Sequence, residues 1–278
     1  MTPEAEIAEQ QPKRVSIVIV SFNRAETLRE SLSALGDAHQ VLVVDNNSTD
    51  GTVTLEEDFP HVRFIRLPKN FGLTRAMNIG VRAAEGACVL FLHDDTVIDG
   101  EAVARLADTL DERQDVAAVA PLLLREGVPA PQVGALPSPS DPNPALRPAE
   151  GGDEIQAERV SGAAIMFRSF FLRALRQIDE RYGNYGGIIE LCAQVRRANR
   201  RLIILRNVTA VHRQLRSPMN AATIEGDQAS GTAVFLGRHH GFVTGMLYRL
   251  KTALGALFTF RIKVLSGVIS GAKIDGTH

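Results

Sequence analysis

Residues 15–67, VSIVIVSFNRAETLRESLSALGDAHQVLVVDNNSTDGTVTLEEDFPHVRFIRL, carry the pattern that sets the fold class. Three runs rich in Val, Ile and Leu, at 15–21, 41–45 and 62–67, are continuously apolar rather than alternating, as strands buried on both faces are. Segments of helical spacing at 24–35 and 52–58 separate them. The order continues with a helix at 72–85, a strand at 88–94 (CVLFLHD), a helix at 101–112 and a strand at 116–124 (VAAVAPLLL). Strand and helix in alternation predict an α/β fold, a Rossmann-like, mostly parallel sheet with helices on both faces. Ligands bind such sheets beyond the carboxyl ends of the strands, so the polar residues after each strand are the ones to inspect.

Beyond this region the pattern changes. Residues 121–150 hold eight of the 13 prolines with no periodicity, and predict a long loop of the lid or binding type. Regular pattern resumes at 159–168 (RVSGAAIMFR), followed by a helix at 189–199 and strands at 201–205 and 208–212. Residues 1–14 alternate acid, amide and base, and read as a disordered lead rather than a secretory signal. The main domain is thus expected over 15–215 and a basic, apolar helical tail over 216–278. From Gln228 to Ile274 the tail has no Asp or Glu, but carries Arg238, Arg249, Lys251, Arg261, Lys263 and Lys273. Such a segment suits the surface of an anionic membrane, and the plainer alternative is a helix packed on the domain.

Composition narrows the function classes. In 278 residues, hydrophobic side chains make up 45%, charged ones 23%, and the net charge is −1, which excludes a disordered chain or one that neutralises nucleic acid. Cys88 and Cys192 form no C-x-x-C, so a reducing compartment such as the cytoplasm is expected. No apolar run reaches the ~20 residues of a spanning helix.

Three strand ends carry polar clusters: Ser21-Phe22-Asn23-Arg24, the stretch DNNSTDGT at 45–52, and His93-Asp94-Asp95-Thr96. Parallel strands bring all three to one edge. Asp45, leaving a buried strand, is placed to accept hydrogen bonds from a base or ribose, although DNNSTDGT also has the composition of a turn and helix cap. Asp94 and Asp95 repel one another unless a cation or water intervenes, and Mg²⁺ or Mn²⁺ held by carboxylates and substrate phosphates is one natural answer. The stretch PKNFGLTRAMNIG at 68–80 opens a helix, with Lys69 and Arg75 in reach of phosphate oxygens. It is neither a G-x-G-x-x-G nor a Walker loop.

Together VSIVIVSFNR, VLVVDNNSTDGT, LPKNFGLTRAMNIGVRAAEGACVLFLHDD, SGAAIMFR and IDERYGNYGGIIELCAQVRRANRRLIILRNVTAVHR resemble a family 2 glycosyltransferase of the GT-A fold, on its rhamnosyltransferase-like branch. The resemblance runs from about Val15 to His212. It implies an inverting transfer of a sugar from a nucleotide-diphosphate donor to a hydroxyl of a glycan or lipid-linked acceptor in cell-envelope polysaccharide synthesis. Ser21, Asn23, Asp45, Arg75 and Asp94 match the nucleotide-binding set. Asp95 and His212 match the metal positions, and His93 stands where many members carry Asp or Asn. The implied setting is the cytoplasm, with peripheral contact at the inner face of the cell membrane.

The chain departs from the family where Gly187 and Ile188 replace a Glu-Asp pair whose Asp takes the acceptor's proton. Glu190, two residues on, is the nearest carboxylate and the candidate base; at roughly 100° per residue it faces another direction. The alternative is a non-catalytic domain of the same fold that binds a nucleotide sugar, a glycan or a partner glycosyltransferase. A nucleotidyltransferase wants a Gly-rich basic loop after the first strand, and SFNRAETL has no glycine.

Overall fold

The computed structural model describes residues 13–215 and 220–270. Residues 1–12 of the expected lead, and 216–219 and 271–278 of the expected tail, Lys273 among them, lie outside the described residues. The first half runs β1 (Val15–Ser21), α1 (Ala25–Leu35), β2 (Gln40–Asp45), α2 (Leu55–Asp58), β3 (Arg63–Arg66), α3 (Leu73–Ala83), β4 (Cys88–His93), β5 (Thr96–Val97), α4 (Gly100–Glu112) and β6 (Val116–Arg125). Short strands follow: β7 (Val128–Pro129), β8 (Pro131–Gly134), β9 (Arg147–Pro148), β10 (Glu154–Gln156) and β11 (Arg159–Val160). Then come β12 (Ala164–Arg168), α5 (Ser169–Ala174), α6 (Gly187–Arg197), β13 (Arg201–His212), α7 (Ala221–His240), α8 (Phe242–Phe258) and α9 (Ile262–Ser270).

The main sheet has the order β10-β13-β6-β12-β4-β1-β2-β3. β1 pairs in parallel with β2 and β4, β2 with β3, and β6 with β13. β12 enters antiparallel between β4 and β6. Side chains alternate across each strand, which explains the continuous apolar runs. Ile17 and Ile19 pack with Leu28 and Leu32 of α1 and Leu106 of α4, while Val18 packs on the other face with Met77 of α3 and Leu191 of α6. The expected α/β sheet covered on both faces is therefore present. Asp99 caps α4 by accepting from the Ala102 amide.

Two local expectations change. The strands expected at 201–205 and 208–212 are one strand, β13, with a bulge between Leu205 and Thr209 that keeps both halves paired with β6. The proline-rich stretch is not featureless, because β8 pairs with β9 and β11 in a second, three-stranded sheet. Fully buried Gln132 ties that sheet to β6, donating to the Pro121 carbonyl at 2.5 Å and accepting from the Leu123 amide at 3.1 Å. In the tail, α7 follows the plainer of the two alternatives, with Phe235 packed against Tyr182 and Ala193 of the domain.

Candidate functional site

A cleft of about 660 Å³ opens at the carboxyl ends of β1 and β4. Register fixes this: Val20 of β1 pairs with His93 of β4, and Ser21 with Asp45 of β2, so three polar strand ends meet at one edge. Ser21, Arg24, Asn46, His93, Asp94, Asp95 and His212 line the cleft. Asn23 and Asp45 do not. Asp45 is buried and its Oδ1 accepts from the Ser48 amide at 2.9 Å, while Asn23 Oδ1 accepts from the Thr49 amide at 2.8 Å. They hold the 45–52 turn against the end of β1, and Asp50 completes it by accepting from the Ala25 and Thr52 amides at 3.0 Å each. That stretch is a turn and cap, as its composition allows, and Asn46 is its cleft-facing member. Arg75 also stays off the wall. Its guanidinium lies 4.1 Å from the Phe71 ring centroid and 3.9 Å from Glu180.

His212 reaches the site because β5 pairs with β13, His212 opposite Thr96, which sets it beside Asp95. One ligand atom each from His93, Asp95 and His212 lie within 4.8 Å of one another. The His93 and His212 rings meet edge-on at 5.7 Å between centroids. Asp95 is 6% exposed; its Oδ2 accepts from the Leu215 amide at 2.9 Å, whereas its buried Oδ1 makes no hydrogen bond. His212 Nε2 lies 3.3 Å from that Oδ1 without the alignment of one. A buried, unbonded carboxylate oxygen facing two imidazoles fits a divalent cation, and two nitrogens with one oxygen suit Mn²⁺ better than Mg²⁺, which favours oxygen. The sequence reading placed Asp95 and His212 in this set and left His93 outside it.

Burial shapes the charges. It pushes the Asp94 carboxyl up to about 7, with the Asp95 charge adding to the effect. Burial also favours neutral Asp95, but His212 and the Leu215 amide hold its carboxyl down to about 2. Burial, then His212, lowers His93 to about 4, so its ring is neutral and ligand-competent at pH 7. Two cleft cations escaped the sequence reading as site residues. Arg24 sits beside the named Ser21 and Asn23, so chain adjacency would have found it. Arg159 is buried and donates to the Pro144 carbonyl at 2.7 Å, and only the pairing of β11 with β8 brings it to the cleft.

The facing wall comes from Gly186 to Ile189 at the start of α6 and from Gln228, Gly231, Thr232 and Phe235 of α7. Gly186 has φ 120°, and a Cβ there would meet the Tyr182 ring at 2.6 Å. A Cβ on Gly187 would meet Thr74 Oγ1 at 2.7 Å. Ile188 lines the cleft, so the position where the sequence resemblance expects a base presents an apolar side chain to the site. Glu190 does not line it. Its Oε2 accepts from Tyr182 Oη at 2.6 Å and contacts His239 Nε2 at 2.8 Å, and its Oε1 accepts from Gln194 Nε2 at 2.5 Å. Arg238 Nε lies 3.4 Å away. Although burial alone would raise its carboxyl, these donors hold it below its ordinary value. Glu190 is thus neither at the cleft nor on a solvated face, but locked between α6, α7 and the Tyr182 turn.

Comparison with known proteins shows the family and the fold. The model for glycosyl transferase family 2 matches residues 16–178, more than half of the chain. A poly-beta-1,6-N-acetyl-D-glucosamine synthase of Staphylococcus epidermidis is 26% identical over 117 residues, 40% of this chain and 28% of that protein, so the chain spans under a third of that relative. A low-salt glycan biosynthesis hexosyltransferase of Haloferax volcanii is 26% identical over 213 residues, 72% of this chain and 67% of its own length. The mannosyltransferase of Pyrobaculum calidifontis, solved with GDP-Man and Mn²⁺, superposes with a TM-score of 0.56 at 16% identity, covering 93% of this chain and 73% of that one. The sheet order, the cleft and these matches together place the fold as GT-A, and the chain belongs to glycosyl transferase family 2.

Proposed function

We propose that the protein moves a sugar, with inversion, from a nucleotide-diphosphate donor to a hydroxyl of a glycan or lipid-linked acceptor, as a rhamnosyltransferase-like member of its family. The observation that carries this reading is the His93, Asp95 and His212 cluster, set in a cleft at the carboxyl ends of β1 and β4. His93, Asp95 and His212 would hold Mn²⁺ or a similar ion, which when bound neutralises charge on the departing diphosphate. Ser21, Asn46 and Asp94 face the nucleoside side, with Asn23 and Asp45 fixing the turn behind them. Arg24 and Arg159 meet phosphate charge, and Arg75 steadies Phe71 at the opening of α3. Glu190 acts as a positioning residue that locks α6 to α7. The GDP-Man and Mn²⁺ of the Pyrobaculum enzyme support a donor and ion of this class. The reaction is set in the cytoplasm, at the inner face of the cell membrane.

One observation favours a second reading, binding without transfer. Ile188 stands at the cleft wall, and the carboxylates among the described cleft-lining residues are Asp94 and Asp95. Titration with UDP, GDP and dTDP sugars in Mn²⁺ and in chelator, with turnover against glycan and lipid-linked acceptors, separates the readings. Metal-dependent binding with transfer supports the first, and metal-dependent binding without transfer to any acceptor supports the second.

A further inference from the structure

The last two described helices expose an unusual surface. α8 buries only Gly245 and Ala256 among its own residues. Both sit on the face turned to α7, where a Cβ on Gly245 would meet the Ala233 carbonyl at 2.5 Å. Most of the larger apolar side chains point outward, among them Phe242, Met246, Leu250, Leu254, Leu257 and Phe258, which are 44–78% exposed. At about 100° per residue these six fall within an arc of roughly 160°, a continuous stripe along the helix. Exposed Lys251 lies about 20° beyond one edge on the same arithmetic, and half-buried Arg249, about 20° beyond the other, donates to Ser230 Oγ of α7 at 3.2 Å. The stripe continues into the turn and α9 through Phe260 and Ile262, which are 88% and 75% exposed, with Lys263 exposed beside them.

A contiguous apolar face of this size on a monomer marks a contact surface. Residues 228–270 contain no Asp or Glu, so its basic flank is not neutralised from within. Arg261 alone of the basic residues in α8, α9 and their connecting turn pairs with a carboxylate among the described contacts, Glu225 on α7. An isologous dimer through the stripe would bring the exposed Lys251 of two copies together with no carboxylate of this segment between them. An anionic bilayer answers both features, accepting the apolar stripe below its headgroups and the basic flank among its phosphates.

We infer that α8 and α9 form an in-plane docking surface for an anionic membrane, and that docking sets the cleft beside the bilayer. The coupling is visible. Tyr248 Oη of α8 accepts from Asn143 Nδ2 at 3.0 Å, and Thr232 of α7 donates to Asn143 Oδ1 at 3.0 Å. His240 Nε2 lies 3.1 Å from the Pro137 carbonyl. Asn143, Pro137 and Thr232 all line the cleft, so α8 through Tyr248, together with α7 on which it packs, holds the cleft's proline-rich wall. No helix among the described residues is long and apolar enough to cross a membrane, which agrees with a helix lying in the plane. The inference rests on the proposed function only for the lipid-linked acceptor that such a position would serve; the docking surface stands without it.

The test is flotation of the full chain with phosphatidylcholine vesicles, with and without phosphatidylglycerol, in the absence of donor. Binding to the anionic vesicles is expected, weakening as salt rises. Leu250→Glu with Leu254→Glu should lower it by roughly tenfold or more, and Lys251→Glu with Lys263→Glu should lower it on anionic vesicles alone. Circular dichroism matching the wild type shows that these surface changes leave the fold intact. Wild-type protein that does not float, or equal flotation of wild type and the Leu250→Glu, Leu254→Glu protein, overturns the inference. So does a wild-type dimer that the same pair of changes dissociates while neither protein meets vesicles, because the stripe would then serve a second copy.

Discussion

Replacing Glu190 by glutamine separates a base from a structural clamp. The carboxylate is 3% exposed and meets Tyr182 Oη, Gln194 Nε2 and His239 Nε2 at 2.5–2.8 Å, with Arg238 at 3.4 Å. The amide keeps the shape but loses the charge, and its nitrogen cannot accept from the donors facing that side. Hydrogen bonds to charged groups are worth about 1.5–3 kcal/mol each, and breaking a buried ion pair costs about 3–5 kcal/mol. With partial rearrangement, Glu190→Gln should destabilise by about 3 kcal/mol, lowering the melting temperature by roughly 6–12 °C. The gap should close in acid. Glu190's folded carboxyl sits below its ordinary value, so its contribution is present above the unfolded pKa and fades as pH falls through the folded one. Thermal unfolding at pH 7 and below pH 4.5 reads both effects, with donor affinity and turnover measured at a temperature where both proteins are folded. A variant that melts with the wild type but loses about 10² to 10⁴ in turnover would refute the clamp and return Glu190 to the role of base.

Asp95→Ala should abolish Mn²⁺ binding seen by electron paramagnetic resonance, and His93→Asn should weaken it by roughly tenfold while reducing any preference for Mn²⁺ over Mg²⁺; unchanged affinities would remove these residues from the ion's shell. In chelator, Asp94→Asn should raise stability at pH 8 by up to about 4 kcal/mol and less after solvent relaxation, because a carboxyl pushed up to about 7 makes folding progressively less favourable as pH rises from about 4 to 7. Parallel pH profiles of the two proteins would show that Asp94 ionises freely in the fold. Ile188→Asp, which turns a carboxylate into the cleft, should increase transfer, and equal turnover would show that a missing base is not what limits this site. Gly187→Glu should destabilise, because its Cβ must displace Thr74 Oγ1 from 2.7 Å, and an unchanged melting temperature would contradict the packing described.

Much of this molecule was legible in the chain. The continuous runs at β1, β2, β4 and β6 and the helical spacing between them are local signals, since each reflects which side chains along one segment meet the core. The Asp50 and Asp99 caps are local as well, each bonding an amide two or three residues on. The candidate metal positions Asp95 and His212 come from a resemblance carried by motifs in order.

What stayed hidden depends on direction and distance. His93 joins His212 across 119 residues of chain because β5 pairs with β13, and no window of sequence contains that pairing. Asn23 and Asp45 sit at the strand ends that the sequence points to, but backbone amides capture their oxygens away from the cleft, whereas Asn46 lines it while its own Oδ1 accepts from the Phe71 amide at 2.9 Å. Ile188 and Glu190 are two residues apart on α6, and the helix sends one into the cleft and the other into the clamp of Tyr182, Gln194 and His239. The residues of a tail that reads as uniformly basic and apolar are sorted by packing: α7 into the cleft wall, small residues of α8 against it, and the stripe outward. Segment and residue type follow from local periodicity, whereas the side on which a residue acts follows from which distant surface claims the opposite face.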